Sequence, residues 1–232
     1  MDSEIPLDPA KKGHGHGRRP CTGRPSGPIR KIVLTGGPGA GKTAVVNLAR
    51  QHFCHHLQVL RESASILFSG GFPRERGVVE LRAVQRAIYH VQNELEVIGE
   101  VQPESAVLLC DRGTLDGLAY WPGERDDFFK QIGSSLAMEY ARYDAVLHLR
   151  TPRAKYYERN GGVRTESAEE ARQIDERISE VWSGHPNVVT INSADDFLHK
   201  ASRALTVIAQ HLPEPCRVST GTQEEATTSD TR

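Results

Sequence analysis

No apolar stretch in this chain approaches the ~20 residues needed to cross a bilayer, and the N-terminus lacks the apolar core of a secretory signal. A soluble, cytoplasmic protein is therefore expected. Net charge is nearly absent too: 29 Lys and Arg stand against 30 Asp and Glu, leaving −1. Neither nucleic acid nor a membrane surface would attract such a chain as a whole. Cysteine is scarce and dispersed, at Cys21, Cys54, Cys110 and Cys216 with no C-x-x-C pair. That spacing argues against a zinc site and a disulfide framework alike, and for reduced thiols. The 232 residues, 38% hydrophobic, fit one domain able to bury a full sheet.

The ends contribute little to that domain. Residues 1–28 are rich in Pro, Gly, Lys, Arg and His with almost nothing apolar to pack, so a disordered basic arm is expected, and a similar tail over 213–232. His14 and His16 could chelate a metal weakly, but an exposed arm explains them as well. The folded domain is placed at 29–212.

What is present is a phosphate-binding signature. Gly36-Gly37-Pro38-Gly39-Ala40-Gly41-Lys42-Thr43 follows the apolar run Ile32-Val33-Leu34, so a buried strand feeds a glycine-rich turn. Glycines let successive backbone N–H groups face a phosphate chain, and a helix opening at Lys42 adds its positive end. Gly37, Pro38, Gly39, Ala40, Gly41, Lys42, Thr43 and Ala44 are thereby expected to hold ATP or GTP. Lys42 reaches the terminal phosphates, and the Thr43 hydroxyl is placed to ligate Mg2+.

Short apolar runs alternate with helix-period segments, the pattern of a parallel sheet covered by helices. Strands are expected at 31–35, 58–60, 106–110, 145–149 and 188–191. Helical stripes run through Leu81, Val84, Ile88, Val91, Leu95 and Ile98, through Ala171, Ile174, Ile178 and Val181, and through Leu198, Ala201, Leu205, Ile208 and Leu212. The fold class is α/β: a P-loop NTPase, with five parallel strands sandwiched by helices and a short Arg-rich lid. Ligands of such sheets bind at the carboxyl ends of the strands.

The residues after each strand are therefore the candidates for chemistry. Asp111 ends the third strand beside the P-loop and suits a magnesium partner, although an Asp also suits a helix N-cap. Arg112 can hold a phosphate or substrate oxygen in a bidentate grip. Glu62, after the second strand, can position an acceptor hydroxyl or accept its proton; a surface loop glutamate is the alternative. In Ser69-Gly70-Gly71-Phe72-Pro73-Arg74, Phe72 can stack on a planar ring and Arg74 meet an anion, unless the segment is a plain turn before a helix. Arg153, Arg159 and Arg164, beside Asn160-Gly161-Gly162, suit a mobile lid bringing positive charge to the transferring group, or else a solvated helix face. His52, His55 and His56 flank Cys54, where positive charge at a helix C-terminus accounts for them without a metal. Trp121 walls a pocket or plugs the core.

Several stretches together resemble a known family. Ile32-Val33-Leu34-Thr35-Gly36-Gly37, Arg61-Glu62-Ser63-Ala64, the run CDRGTLDGLAYW from Cys110 to Trp121, and Asn160, Arg164 and Glu166 followed by Ala171, Asp175 and Trp182 are similar to P-loop ATPases and kinases. That family, grouped with AAA domains, includes the NadR-type ribosylnicotinamide kinase domain and a eukaryotic GTP-binding branch. The resemblance spans about residues 30–210. The stretch from Asp111-Arg112 to Leu118-Ala119-Tyr120 is also similar to thymidylate kinases, which implies acceptor contact for Glu62 and a catalytic-centre role for Asp111 and Arg112. Asp116 stands where those kinases carry a small hydroxyl residue. No separate helical lid domain or sensor motif of a ring-forming motor is found.

The leading expectation is thus a Mg2+-dependent kinase moving the γ-phosphoryl group of ATP (or GTP) to a small nucleoside-like acceptor, with Lys42, Glu62, Asp111, Arg112, Arg159 and Arg164 as its catalytic set. A homodimer is compatible with it. The rival is a nucleotide-dependent regulator presenting a surface to a protein or lipid partner, which the basic arm would suit. Against a standard GTPase, no N-K-x-D guanine-reading motif follows a strand.

Overall fold

Five strands pair in parallel in a computed structural model that describes residues 21, 27–74, 77–152, 167–192 and 197–217. They are β1 (Arg30–Thr35), β2 (Leu57–Leu60), β3 (Val107–Asp111), β4 (Ala145–Leu149) and β5 (Val188–Ile191), in the order β2-β3-β1-β4-β5. Among the described residues the helices are α1 (Lys42–His52), α2 (Ser63–Ser69), α3 (Val78–Glu100), α4 (Arg125–Ile132), α5 (Leu136–Tyr140), α6 (Ala168–Trp182) and α7 (Phe197–His211), with 3-10 turns at Thr114–Tyr120 and Glu214–Cys216. None is long and apolar enough to cross a membrane.

The strands read as continuous apolar runs because both of their faces are covered. Period-2 alternation sends Ile32, Leu34, Leu109 and Leu147 to one side, against Val45 and Ala49 of α1 and Ala204 and Ile208 of α7. Val33, Leu108, Cys110 and Val146 pack on the other, against Tyr89 of α3 and Ile178 and Trp182 of α6. Helix α6 starts on a capping box between Ser167 and Glu170 and buries Ala171, Ile174, Ile178 and Val181, the stripe its sequence announces. Truncating fully buried Ile178 to Ala would remove about 2–5 kcal/mol.

Helix α3 departs from its apolar stripe. Ile98 is 55% exposed, whereas Gln85, Gln92 and Glu96 are buried. Two features rotate the helix. Gly99 lets the backbone approach the sheet so closely that a Cβ there would come within 2.9 Å of Leu108. Buried Glu96 is meanwhile satisfied by Arg142 at 2.7 Å, Tyr143 Oη at 2.7 Å, Gln92 at 3.0 Å and Lys31 at 3.3 Å. Charge pairing thus takes the place of an apolar contact.

Strand register sets the site. Leu34 lies opposite Asp111 and Thr35 opposite His148, so the loop leaving β1 emerges between the ends of β3 and β4. Adjacent strands that leave the central strand in opposite directions open a crevice at this edge.

Candidate active site at the carboxyl edge

The loop after β1 has a shape only glycine allows. At Gly36 φ is 142°, and a Cβ would lie 2.1 Å from the Leu149 carbonyl oxygen; at Gly37 one would meet Thr151 Oγ1 at 2.6 Å. Gly39 (φ 75°) and Gly41 (φ 94°) are left-handed, and α1 begins directly after them with no acidic residue in its first turn. Left-handed turns running into a helix N-terminus form an anion-binding concavity. Thr43 is exposed on that first turn, with Pro38, Ala40 and Ala44 completing the loop.

Lys42 spans the loop from inside, donating through Nζ to the Gly36 carbonyl at 2.7 Å and the Gly37 carbonyl at 3.1 Å. Burial, then the Arg112 guanidinium, push its ammonium down to about 7 against the opposing pull of Asp111, Glu62 and Asp116. Burial thus disfavours the Lys42 ammonium in the free loop, and the negative charge of a polyphosphate would favour its protonated form.

Behind the loop stands Asp175 of α6, fully buried. Its Oδ1 accepts from the Gly37 N–H and from His148 Nε2, both at 2.9 Å. Its Oδ2 accepts from the Thr151 N–H at 3.2 Å and pairs with Arg150 Nε at 3.2 Å. Burial alone would raise this carboxyl; His148, the Gly37 N–H and Arg150 together hold it below its ordinary value. Lys200 of α7 adds a second brace, donating to the carbonyls of Ala40 (2.8 Å) and Arg150 (2.5 Å).

On the other flank, Asp111 ends β3, and the next turn is capped by Gly113, so Asp111 is no helix cap. Its Oδ1 is buried without a hydrogen-bond partner. Burial first, then Glu62, raise its pKa, with Lys42 and Arg112 opposing. An orphaned carboxylate oxygen electrostatically coupled to Lys42, together with the exposed hydroxyl of the adjoining Thr43, offers the hard-oxygen chemistry that magnesium takes.

Arg112 alone among described non-glycine residues has positive φ, 78°. That conformation costs about 1–2 kcal/mol and turns the guanidinium into the cleft. Its Nε donates to Glu62 Oε1 at 2.7 Å and its Nη1 to Asp116 Oδ2 at 3.2 Å. Burial opposes the charge, but Tyr120, Asp116 and Glu62 leave the guanidinium firmly protonated. Glu62, which burial alone would raise, is brought below its ordinary value by Arg112, a hydrogen bond from Ser65 and Lys42. It is therefore no stray loop carboxylate.

Lys42, Glu62, Asp111 and Arg112 thus meet in one electrostatic cluster. Phe72 is half-buried in the turn after α2; Arg74 is exposed and lies 4.3 Å over the Phe68 ring, outside that cluster. Arg153, Arg159 and Arg164 lie outside the described residues. Trp121 is buried edge-on to Phe128, a core plug.

Sequence reasoning gave no role to several residues that build the site. Asp116, 3% exposed, accepts from Thr35 Oγ1 (2.6 Å), Trp182 Nε1 (2.7 Å) and Arg112, so it orients the arginine and ties β1 to α6. His148, Thr151 and Lys200 brace the loop from strands and helices far along the chain. An apolar stretch interrupted by one histidine, Ala145-Val146-Leu147-His148-Leu149, was the available signal for His148.

The AAA domain family model matches residues 31–198. No curated protein matches the chain. Among solved structures, a NadR protein in complex with NAD and AMP-PNP is similar in fold, with 15% identity and a TM-score of 0.57 over 84% of this chain and 51% of that one. A NadR protein in complex with NR is 18% identical, TM-score 0.55, over 79% of this chain and 51% of that one. The chain spans about half the length of these structures. With the family model covering well over half of the sequence, the chain belongs to the AAA domain family, built as a P-loop nucleotide-binding fold.

Proposed function

We propose that this protein is a magnesium-dependent phosphotransferase that moves the γ-phosphoryl group of ATP or GTP to a hydroxyl of a small nucleoside-like acceptor. The observation that carries the reading is the partnerless Asp111 oxygen, set in one cluster with Lys42, Glu62 and Arg112. A bare nucleotide switch has no use for a Glu62–Arg112 pair fixed opposite the phosphate loop. The likeness to NadR structures holding AMP-PNP and NR supports the same class of donor and acceptor.

Magnesium, when bound by Thr43 and Asp111, supplies positive charge against the phosphate oxygens. Lys42 exchanges its carbonyl partners for the β- and γ-phosphates. Glu62, held ionised, is too weak a base to deprotonate an alcohol early; it accepts the hydroxyl's hydrogen bond and aligns it. The acceptor oxygen bonds to phosphorus as the bond to the leaving nucleoside diphosphate oxygen breaks, and the hydroxyl proton, made acidic by that bond, passes late to the Glu62 carboxylate and from there to solvent. Arg112 fixes Glu62 and faces the developing charge. Arg153, Arg159 and Arg164, which lie outside the described residues, are the candidates to add further positive charge there.

The test is a transfer assay over a nucleoside panel that includes nicotinamide riboside, with radiolabelled γ-phosphate. Lys42→Ala and Glu62→Ala should each lower turnover by about a hundredfold or more. Tight nucleotide binding with no acceptor phosphorylated, and no effect of Glu62→Ala on nucleotide turnover, would instead mark a regulatory NTPase.

A further inference from the structure

At the end of the sheet away from the phosphate loop, the three chain segments least expected to meet converge on one point. Cys54 and His56 lie on the turn joining α1 to β2; Cys21 comes from the segment before β1, and Cys216 from the 3-10 turn after α7. Cys21 Sγ is 3.2 Å from Cys216 Sγ, and His56 Nδ1 is 3.1 Å from Cys216 Sγ and 3.5 Å from Cys54 Sγ. One donor atom from each of the four residues lies within 4.8 Å of all the others. Cys54, His56 and Cys216 are buried at 5%, 3% and 5% exposure, and Cys21 is half-buried at the rim.

We propose that Cys21, Cys54, His56 and Cys216 form a structural zinc site. Three thiols and one imidazole are the soft, four-donor set that favours tetrahedral zinc over the hard-oxygen magnesium of the other edge. Around zinc, sulfurs at about 2.3 Å from the metal stand about 3.8 Å apart. The present separations, some shorter and some reaching 4.8 Å, become that polyhedron by side-chain rotation. Binding sends the three thiol protons to solvent and leaves thiolates on the metal.

The surroundings suit a fixed metal rather than a reactive thiol pair. The His56 carbonyl accepts from the N–H groups of Ala106 (2.9 Å) and Val107 (3.1 Å), so the turn carrying two donors is pinned to the head of β3. A Cys21–Cys216 disulfide would account for one pair of the four donors and not for the convergence of Cys54 and His56 on it. Four protein donors leave no open coordination position, which makes the site structural. It would fasten both flanking segments to the core, and it stands independently of the proposed transferase activity.

The experiment is elemental mass spectrometry of the full chain purified under reductant without chelator. About one zinc per chain is expected, as is a thiolate-to-cobalt charge-transfer band with tetrahedral d–d absorption after cobalt replacement. Cys54→Ser and His56→Ala should each weaken zinc retention in a chelator competition by about tenfold or more. Should these variants fail to fold, the cobalt spectrum of the unmodified chain decides. Less than about 0.1 zinc per chain, both as purified and after reductive reconstitution with zinc, would overturn the proposal. So would zinc held equally tightly by folded Cys54→Ser, or a Cys21–Cys216 disulfide in the freshly isolated protein.

Discussion

Replacing Asp175 with Asn tests whether the phosphate loop is held in shape from behind. The carboxylate receives four donors, two on each oxygen: Gly37 N–H and His148 Nε2 on Oδ1, Thr151 N–H and Arg150 Nε on Oδ2. An amide turns one oxygen into an NH2 group, so whichever way it faces, two donors point at a donor. Each lost charge-assisted bond is worth about 1.5–3 kcal/mol. With two such bonds lost and the half-buried Arg150 guanidinium deprived of its partner, a loss of about 4 kcal/mol is expected. In a domain of this size that is roughly 8–16 °C in Tm. Chemical denaturation gives the free energy, and calorimetry with AMP-PNP should show nucleotide affinity falling alongside, because the Gly37 N–H loses its anchor. Acid titration supplies a separate readout. The folded-state pKa of Asp175 is depressed, so its contribution is complete above the unfolded value of about 3.9 and is lost as pH falls through the folded value. The stability gap between wild type and variant should therefore close below about pH 4. A variant within about 3 °C of wild type at neutral pH would refute the bracing argument.

Lys42, lowered to about 7 in the free protein, should regain its proton when a triphosphate binds. At pH 8 only about a tenth of it is protonated beforehand, so uptake of about 0.9 proton is expected, against about 0.1 at pH 6. Calorimetry in buffers of different ionisation enthalpy measures this; pH-independent uptake, or uptake persisting in Lys42→Met, contradicts it. Asp111→Asn should separate stability from function. Because burial and Glu62 raise the carboxyl's pKa, removing its charge should raise Tm at neutral pH, while Mg2+-dependent nucleotide affinity falls about tenfold or more; a lower Tm would show that Asp111 is already satisfied. Gly36→Ala and Gly133→Ala contrast space with conformation. A Cβ at Gly36 collides with the Leu149 carbonyl oxygen, whereas Gly133, at φ 68°, has nothing within 4 Å. The first should cost more than about 3 kcal/mol and the second about 1 kcal/mol, read from urea midpoints; equal losses would mean that φ alone governs both.

The fold was legible where burial on two faces leaves a one-dimensional trace. The strands expected at 145–149 and 188–191 match β4 and β5; β1 and β2 begin one residue before the expected starts, and β3 is shifted by one residue at both ends. The glycine-rich loop was legible for a similar reason, since its shape is set by consecutive residues from Gly36 to Gly41. Helix α3 shows where periodicity misleads: the stripe through Ile98 was apolar, but a glycine and a buried glutamate turned a different face inward. The short helices α2, α4 and α5 carry too few turns for a period to register.

The bracing residues were invisible for a deeper reason, which the proposed zinc site shares. Asp175 reaches Gly37 across 138 positions, and Lys200 reaches Ala40 across 160. Spacing rules for metal sites presume that ligands arrive in pairs on one turn. Here Cys54-x-His56 is such a pair, but its partners stand at opposite ends of the folded chain, 195 positions apart. Counting cysteines for a C-x-x-C motif rejects that arrangement by construction. A parallel sheet makes it natural: the segment entering β1, the turn entering β2 and the chain leaving α7 all gather at the amino edge, as the loops leaving the strands gather at the carboxyl edge. One edge therefore collects hard oxygens and positive charge for a polyphosphate. The other collects sulfur and imidazole that magnesium would not select, so the two ends of a single sheet are chemically separate, and stripping zinc from the proposed site would leave the phosphate-loop edge unaffected.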